Sequence, residues 1–171
     1  SSSVYGGNTK VPFAVGDAVD QPMSMYAATK RADELFGQTY HHLYHIPMVG
    51  LRFFTVYGPW GRPDMAAYLF TTAMLNNKPI KLFNHGRMRR DFTFIADIVQ
   101  GVLAAYDRPQ PSHRIYNLGN SKPEELGVFI ATLEKALGLK AQIQFLPMQA
   151  GDVQETSADI EASTRDLDFI P

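Results

Sequence analysis

Met48-Val49-Gly50-Leu51-Arg52-Phe53-Phe54-Thr55-Val56-Tyr57-Gly58-Pro59 is an apolar, aromatic-rich run closed by a glycine-proline stop. Such a run reads as a strand buried on both faces of a parallel sheet, because alternation with polar residues is missing and helix-breaking residues end it. Upstream, residues 25–44 carry a helical pattern. Ser24 is placed to cap that helix, Ala27, Ala28, Leu35, Phe36 and Leu43 supply apolar faces, and Pro47 ends it. Val4 and Tyr5 look like the tail of a preceding strand, with residues 6–22, rich in Gly, Pro and Asp, as a loop. The order strand, helix, strand predicts a right-handed crossover and an α/β fold.

Downstream the pattern predicts a helix over 64–76, a short strand over 80–83, a turn at Asn84-His85-Gly86 and a strand over 91–94. A helix over 97–106 follows, then a buried strand over 115–118, a helix over 124–137 ended by Gly138, and a last strand over 142–146. Met65, Met74 and the aromatic residues near 68–70 read as core.

The 171 residues are 45% hydrophobic with a formal net charge of −1, so the chain can bury a core and carries no basic excess of the kind nucleic acid or an anionic membrane surface attracts. No apolar run approaches a membrane span. The lack of cysteine excludes a disulfide framework and fits a reducing, cytoplasmic setting. His41 and His45 share helical spacing, but no third ligand accompanies them, so no metal is expected.

The chemistry concentrates near the start. In Tyr26-Ala27-Ala28-Thr29-Lys30 the phenol and the ammonium are four residues apart, which places them on one helix face. A neighbouring ammonium favours the phenolate, so Lys30 would tune Tyr26 toward general acid/base work, and its donors could reach vicinal hydroxyls such as those of a ribose. Tyr-x-x-x-Lys alone also occurs on ordinary amphipathic helices; the serine cluster Ser1-Ser2-Ser3 adds the hydroxyl partner that proton transfer needs.

These stretches, with Gly61-Arg62-Pro63-Asp64-Met65-Ala66 and Arg90-Asp91-Phe92-Thr93-Phe94-Ile95, resemble in consistent order the extended short-chain dehydrogenase/reductase superfamily of nucleotide-sugar epimerases and dehydratases. The run from Arg52 to Ala66 is most similar to UDP-glucuronate 4-epimerases. The resemblance implies NAD as cofactor, a UDP-sugar as substrate and a homodimer built partly on the helix at 25–44. It implies the C-terminal part of a Rossmann-like, doubly wound parallel sheet interleaved with a smaller α/β substrate-binding domain. Residues 1–62 would be the second half of the NAD-binding domain and 63–171 mainly substrate domain with returning elements. The family's glycine-rich pyrophosphate loop is not in the chain, so an internal fragment of a longer enzyme is expected, one that is inactive by itself.

Residue by residue, the resemblance implies Ser1, Tyr26 and Lys30 as the catalytic set, and Tyr26, Lys30, Phe53 and Val56 against the cofactor. Ser2 and Ser3 would line the sugar or its carboxylate, Thr55 would face the hexose, and the backbone of Leu82 and Phe83 the uracil. Arg62 can grip a carboxylate through two parallel charge-assisted bonds, which would suit a glucuronate over a glucose. Arg90 matches the family's diphosphate-binding arginine; Asp152 lies in a substrate-domain segment where many relatives carry arginine at the Gln149 position. The expected reaction is C4 epimerisation of UDP-glucuronate to UDP-galacturonate through a transient 4-keto sugar. Dehydration is a rival, though dehydratases usually place Asp-Glu where Ser2-Ser3 stand; decarboxylation is a second, and a catalytically silent sugar-binding module a third.

Overall fold

The computed structural model describes residues 1–108, 110–148 and 152–171. Its first surprise lies in the opening residues. Ser2–Tyr5 form a 3-10 helix, not the end of a strand. Ser1 Oγ accepts from Ser3 N at 3.3 Å, and Gly6 turns the chain at a φ of 58°. Serine side chains offer the backbone this local alternative to a sheet ladder. The expected strand–helix–strand unit therefore lacks its first strand.

Helix α1, Met25–Tyr44, has the expected bounds. Ser24 Oγ caps it by accepting from Ala27 N at 3.1 Å. It ends at His45, in the left-handed region at φ 55°, two residues before Pro47. Of the expected apolar faces, Ala27 packs, whereas Leu35, Phe36 and Leu43 are exposed, as are Tyr40 and Tyr44; Gly37 is the other buried residue of α1.

The deciding run splits. β1, Val49–Phe53, pairs in parallel with β5, Arg114–Leu118, whereas β2, Thr55–Tyr57, pairs in parallel with β4, Arg89–Phe94. Phe54 is the joint: its N–H still donates to Leu118 O at 3.1 Å, and its ring is buried beside those of Tyr5 and Phe13. Gly58, at φ 130°, stops β2. A Cβ there would stand 2.6 Å from Ile95 Cγ2, so no side chain fits that turn.

Helix α2, Ala66–Leu75, is shorter than expected at both ends and leaves Tyr68 and Leu69 half exposed, while Met74 is buried. β3, Ile80–Leu82, pairs in parallel with β7, Ile143–Phe145. β4 begins two residues earlier than expected because its first residues pair antiparallel with β6, Pro123–Glu125, a strand expected to be the start of a helix. Helix α3, Ile95–Asp107, follows β4 directly; α4, Leu126–Leu137, follows β6 and ends at Gly138 in the left-handed region. A short α5, Glu161–Leu167, was not expected.

Three apolar clusters hold these pieces. Met74, Ile80, Leu82, Met88, Phe92, Leu126 and Ile130 join α2, β3, β4 and α4. Ile98, Ala105, Tyr116, Leu118, Leu167 and Phe169 join α3, β5 and α5. Val4, Tyr5, Phe13, Val19, Phe54 and Ala158 anchor the opening residues. Here Tyr5 stacks on Phe13 with ring centroids 4.7 Å apart, and such a pair adds about 0.5–1.5 kcal/mol to the burial of the two rings. The serine turn is thereby fixed against the end of β1.

Candidate active site

Tyr26 and Lys30 occupy the first two turns of α1, where the Ser24 cap sets the start of the helix and hence which way they face. Lys30 Nζ stands 5.9 Å from the centre of the Tyr26 ring. It also donates to Asp33 Oδ2 at 2.8 Å, and that hydrogen bond and charge raise its pKa, keeping the ammonium charged. Tyr26 is about half exposed. In the 3-10 turn the hydroxyls of Ser1 and Ser3 are 2.9 Å apart.

Ser1, Ser2, Tyr26, Lys30, Phe53, Thr55, Val56 and Arg62 line one cavity of about 950 Å³. Pieces remote in sequence thus converge on one space. A second cavity of about 230 Å³ is lined by Ser1, Ser2, Ser3, Thr55, Arg90 and Asp152 among others. Ser1, Ser2 and Thr55 belong to both, so they form the shared wall. Arg90 is held by two main-chain acceptors, Arg89 O at 2.9 Å and Gln154 O at 3.2 Å. Burial lowers its pKa, an effect Asp152 opposes. A partly desolvated guanidinium of this kind suits an anionic ligand group.

Leu82 and Phe83 do not join this assembly. The Leu82 side chain is buried in the α2/β3/α4 cluster, and its carbonyl accepts from Leu146 N at 2.8 Å. The Gln149 position lies outside the described residues. Among the described residues no three His, Cys, Asp or Glu side chains converge as a metal site, and His41 Nδ1 instead lies 2.8 Å from Ile46 O. No described helix is long and apolar enough to cross a membrane.

Three charged residues that sequence reasoning left unassigned prove central. Arg52, 2% exposed, donates Nε and Nη2 to Glu34 Oε1 and Oε2 at 2.8 and 2.9 Å. Asp91 is wholly buried and accepts from the main-chain N–H groups of Asn120, Ser121 and Ala158. Charged residues embedded in apolar runs were the available signal, since such groups are rarely buried unless paired. Trp60, fully exposed at φ 62°, also lines the large cavity.

A family model described as "NAD dependent epimerase/dehydratase family" matches residues 1–119. Uncharacterized protein MJ1055 of Methanocaldococcus jannaschii is 54% identical over 171 residues, covering all of this chain and 52% of that protein. UDP-glucuronate 4-epimerase 3 of Arabidopsis thaliana is 47% identical over 187 residues, covering all of this chain and 44% of that protein. Among solved structures, the UDP-glucuronic acid 4-epimerase of Bacillus cereus in complex with UDP-glucuronic acid and NAD superposes with a TM-score of 0.93 at 36% identity, over all of this chain and 54% of that one. The chain spans about half the length of the curated relatives it matches.

Proposed function

This chain belongs to the NAD dependent epimerase/dehydratase family, and from that premise we propose that it carries the acid/base and sugar-facing part of an NAD-dependent nucleotide-sugar epimerase acting on UDP-glucuronate. The product is UDP-galacturonate. The observation that carries this reading is the convergence of Ser1, Tyr26, Lys30, Thr55 and Arg62 on one cavity. The Arabidopsis and Bacillus relatives, by their names and the bound ligands of the latter, support the choice of sugar.

The residues present fit the cofactor. A cavity of about 950 Å³ sits at the upper end of the range for small-molecule and cofactor sites, and its wall joins the aromatic and aliphatic side chains of Phe53 and Val56 to the donors of Tyr26 and Lys30. When bound, NAD supplies a reversible acceptor for the C4 hydrogen. Tyr26 takes the proton from the C4 hydroxyl and returns it after the ketone has turned its other face. Lys30 contributes a positive charge beside the Tyr26 ring, and its donors hold the ribose hydroxyls. Ser1 positions the reacting oxygen by donating to it, and Ser2 and Ser3 line the sugar. Arg62 receives the uronate carboxylate, and Arg90, across the shared wall, receives the diphosphate with Asp152 nearby. The uracil role of the Leu82 and Phe83 backbone rests on the family resemblance alone, since neither residue lines either of these two cavities. The exposed Leu35, Phe36 and Leu43 on α1 support a second copy of the enzyme packing on that helix.

Tyr26→Phe in the full-length enzyme tests the reading. Loss of the acid/base group lowers turnover by at least about 100-fold, while UDP-glucuronate binding, followed by calorimetry, is retained. Product formation at the unaltered rate, followed by NMR, overturns it.

A further inference from the structure

The proposed site is assembled from three separate pieces of chain: the serine turn, the start of α1 and the end of β1. One buried cation connects them, from within β1 to Tyr5 in the turn and to Glu34 of α1, one helical turn past Lys30. Arg52, the fourth residue of β1, lies 2% exposed beneath them. Toward α1 it makes the two-pronged contact with Glu34, whose side chain is only 9% exposed. Toward the serine turn its guanidinium sits 4.8 Å from the centre of the Tyr5 ring, and Tyr5 Oη is itself fixed by Asn117 Oδ1 at 2.6 Å. Its remaining arm, Nη1, donates to Val15 O at 3.3 Å in the loop between them.

Glu34 stands one helical turn beyond Lys30 and two beyond Tyr26, so it shares their face, and it lines the same cavity. Arg31 steadies it from one side at 2.9 Å. A fork gripped by a carboxylate fixes direction as well as distance. The rotation of α1 about its own axis is therefore set by the strand that ends at the sugar-facing residues.

We propose that Arg52 is a positioning residue: through Glu34 it fixes the roll of α1, and with it the aim of Tyr26 and Lys30 at the serine turn. This rests on the reading of those residues as the reacting set. Fold stability alone does not account for the arrangement, because replacing a buried ion pair by apolar groups of equal volume is often neutral or stabilising. What an apolar replacement cannot supply is angular constraint. Lysine at this position keeps the charge and loses the fork.

The experiment compares Arg52→Lys, Glu34→Gln and Tyr116→Phe in the full-length enzyme with UDP-glucuronate. Tyr116→Phe removes a 3.0 Å bond to Asp166, neither residue lining either cavity, and reports what destabilisation alone does. Misplacing a reacting group by about 1 Å costs on the order of 100-fold in rate. Arg52→Lys and Glu34→Gln are expected to lower kcat by about 10- to 100-fold, with KM for UDP-glucuronate within about two-fold of the parent. Tyr116→Phe lowers the melting temperature without this loss. In Arg52→Ala, added methylguanidinium restores part of kcat. If both pair variants keep kcat when corrected for folded fraction, or if KM rises while kcat stays, positioning is overturned. Should Arg52→Lys not fold, Glu34→Gln decides from the helix side. An active Tyr26→Phe enzyme removes the underlying acid/base reading and this proposal with it; an inactive Tyr26→Phe beside fully active pair variants removes the proposal alone.

Discussion

Arg62 and Asp64 grip each other through two parallel bonds on the cavity wall, Nε to Oδ1 at 3.0 Å and Nη2 to Oδ2 at 2.5 Å. The arginine assigned to the sugar carboxylate thus already holds a carboxylate of its own chain. An incoming uronate competes with Asp64 for this guanidinium, and a neutral hexose does not. Both side chains are well exposed, so the internal pair is weak and exchange is easy. Asp64→Asn is expected to tighten UDP-glucuronate by roughly two- to five-fold and leave UDP-glucose unchanged, measured by titration calorimetry. Equal tightening of both ligands would sink the idea.

Trp60 is the single tryptophan, fully exposed on the rim of the same cavity. The part of the emission lost in Trp60→Phe therefore reports the cavity mouth without labelling. Binding of UDP-glucuronate is expected to shift that emission to shorter wavelength as the indole leaves water. An unchanged spectrum at a ligand concentration that calorimetry shows to be saturating would remove Trp60 from the binding surface.

Asp91 ties three strands of chain together. Its carboxylate accepts from Asn120 N at 2.7 Å, Ser121 N at 3.0 Å and Ala158 N at 2.8 Å. An amide in its place presents two donors where donors already point inward. Asp91→Asn should cost about 2–4 kcal/mol, read as a lower midpoint in urea with the slope unchanged. A loss below about 1 kcal/mol would mean that the loops after β5 and before α5 are held by other contacts.

The Arg52–Glu34 pair also makes stability depend on acidity. Burial pushes the Glu34 carboxyl up, but the hydrogen bonds and charges of Arg52 and Arg31 outweigh it and hold the pKa below its ordinary value. A carboxyl depressed in the folded state contributes stability that is present above its unfolded pKa and fades as pH falls through the folded one. The melting temperature should therefore drop on acidification below the ordinary glutamate range, and Glu34→Gln should flatten part of that drop. A Glu34→Gln profile parallel to the parent's over that range would show that other carboxylates carry the effect.

What could be read in the sequence was local. The bounds of α1 followed from the Ser24 cap and the helical repeat, and the Tyr26 and Lys30 spacing needs only one turn of helix. The errors came where partners are distant. Glu34 and Arg52 are 18 residues apart, and Asp91 finds its donors 29 to 67 residues away. No short pattern announces such contacts. Val4 and Tyr5 look alike at a strand end and in a buried 3-10 turn, because burial and not backbone shape selects their residue types. Likewise β1 and β2 read as one strand: both are apolar, and only their partners, β5 and β4, tell them apart. The strand Pro123–Glu125 was hidden by its charge, which suits an edge position pairing with β4.

The joint at Phe54 has a further consequence. One continuous stretch serves two ladders, with Phe53 registered to Leu118 on one side and Thr55 to Phe92 on the other. Substitutions there can be absorbed, but a single added or deleted residue would turn every following side chain to the opposite face and swing Thr55 away from both chambers. Diversification among proteins of this build should therefore proceed at this point by exchange of letters at constant spacing, with changes of length confined to the loops on either side.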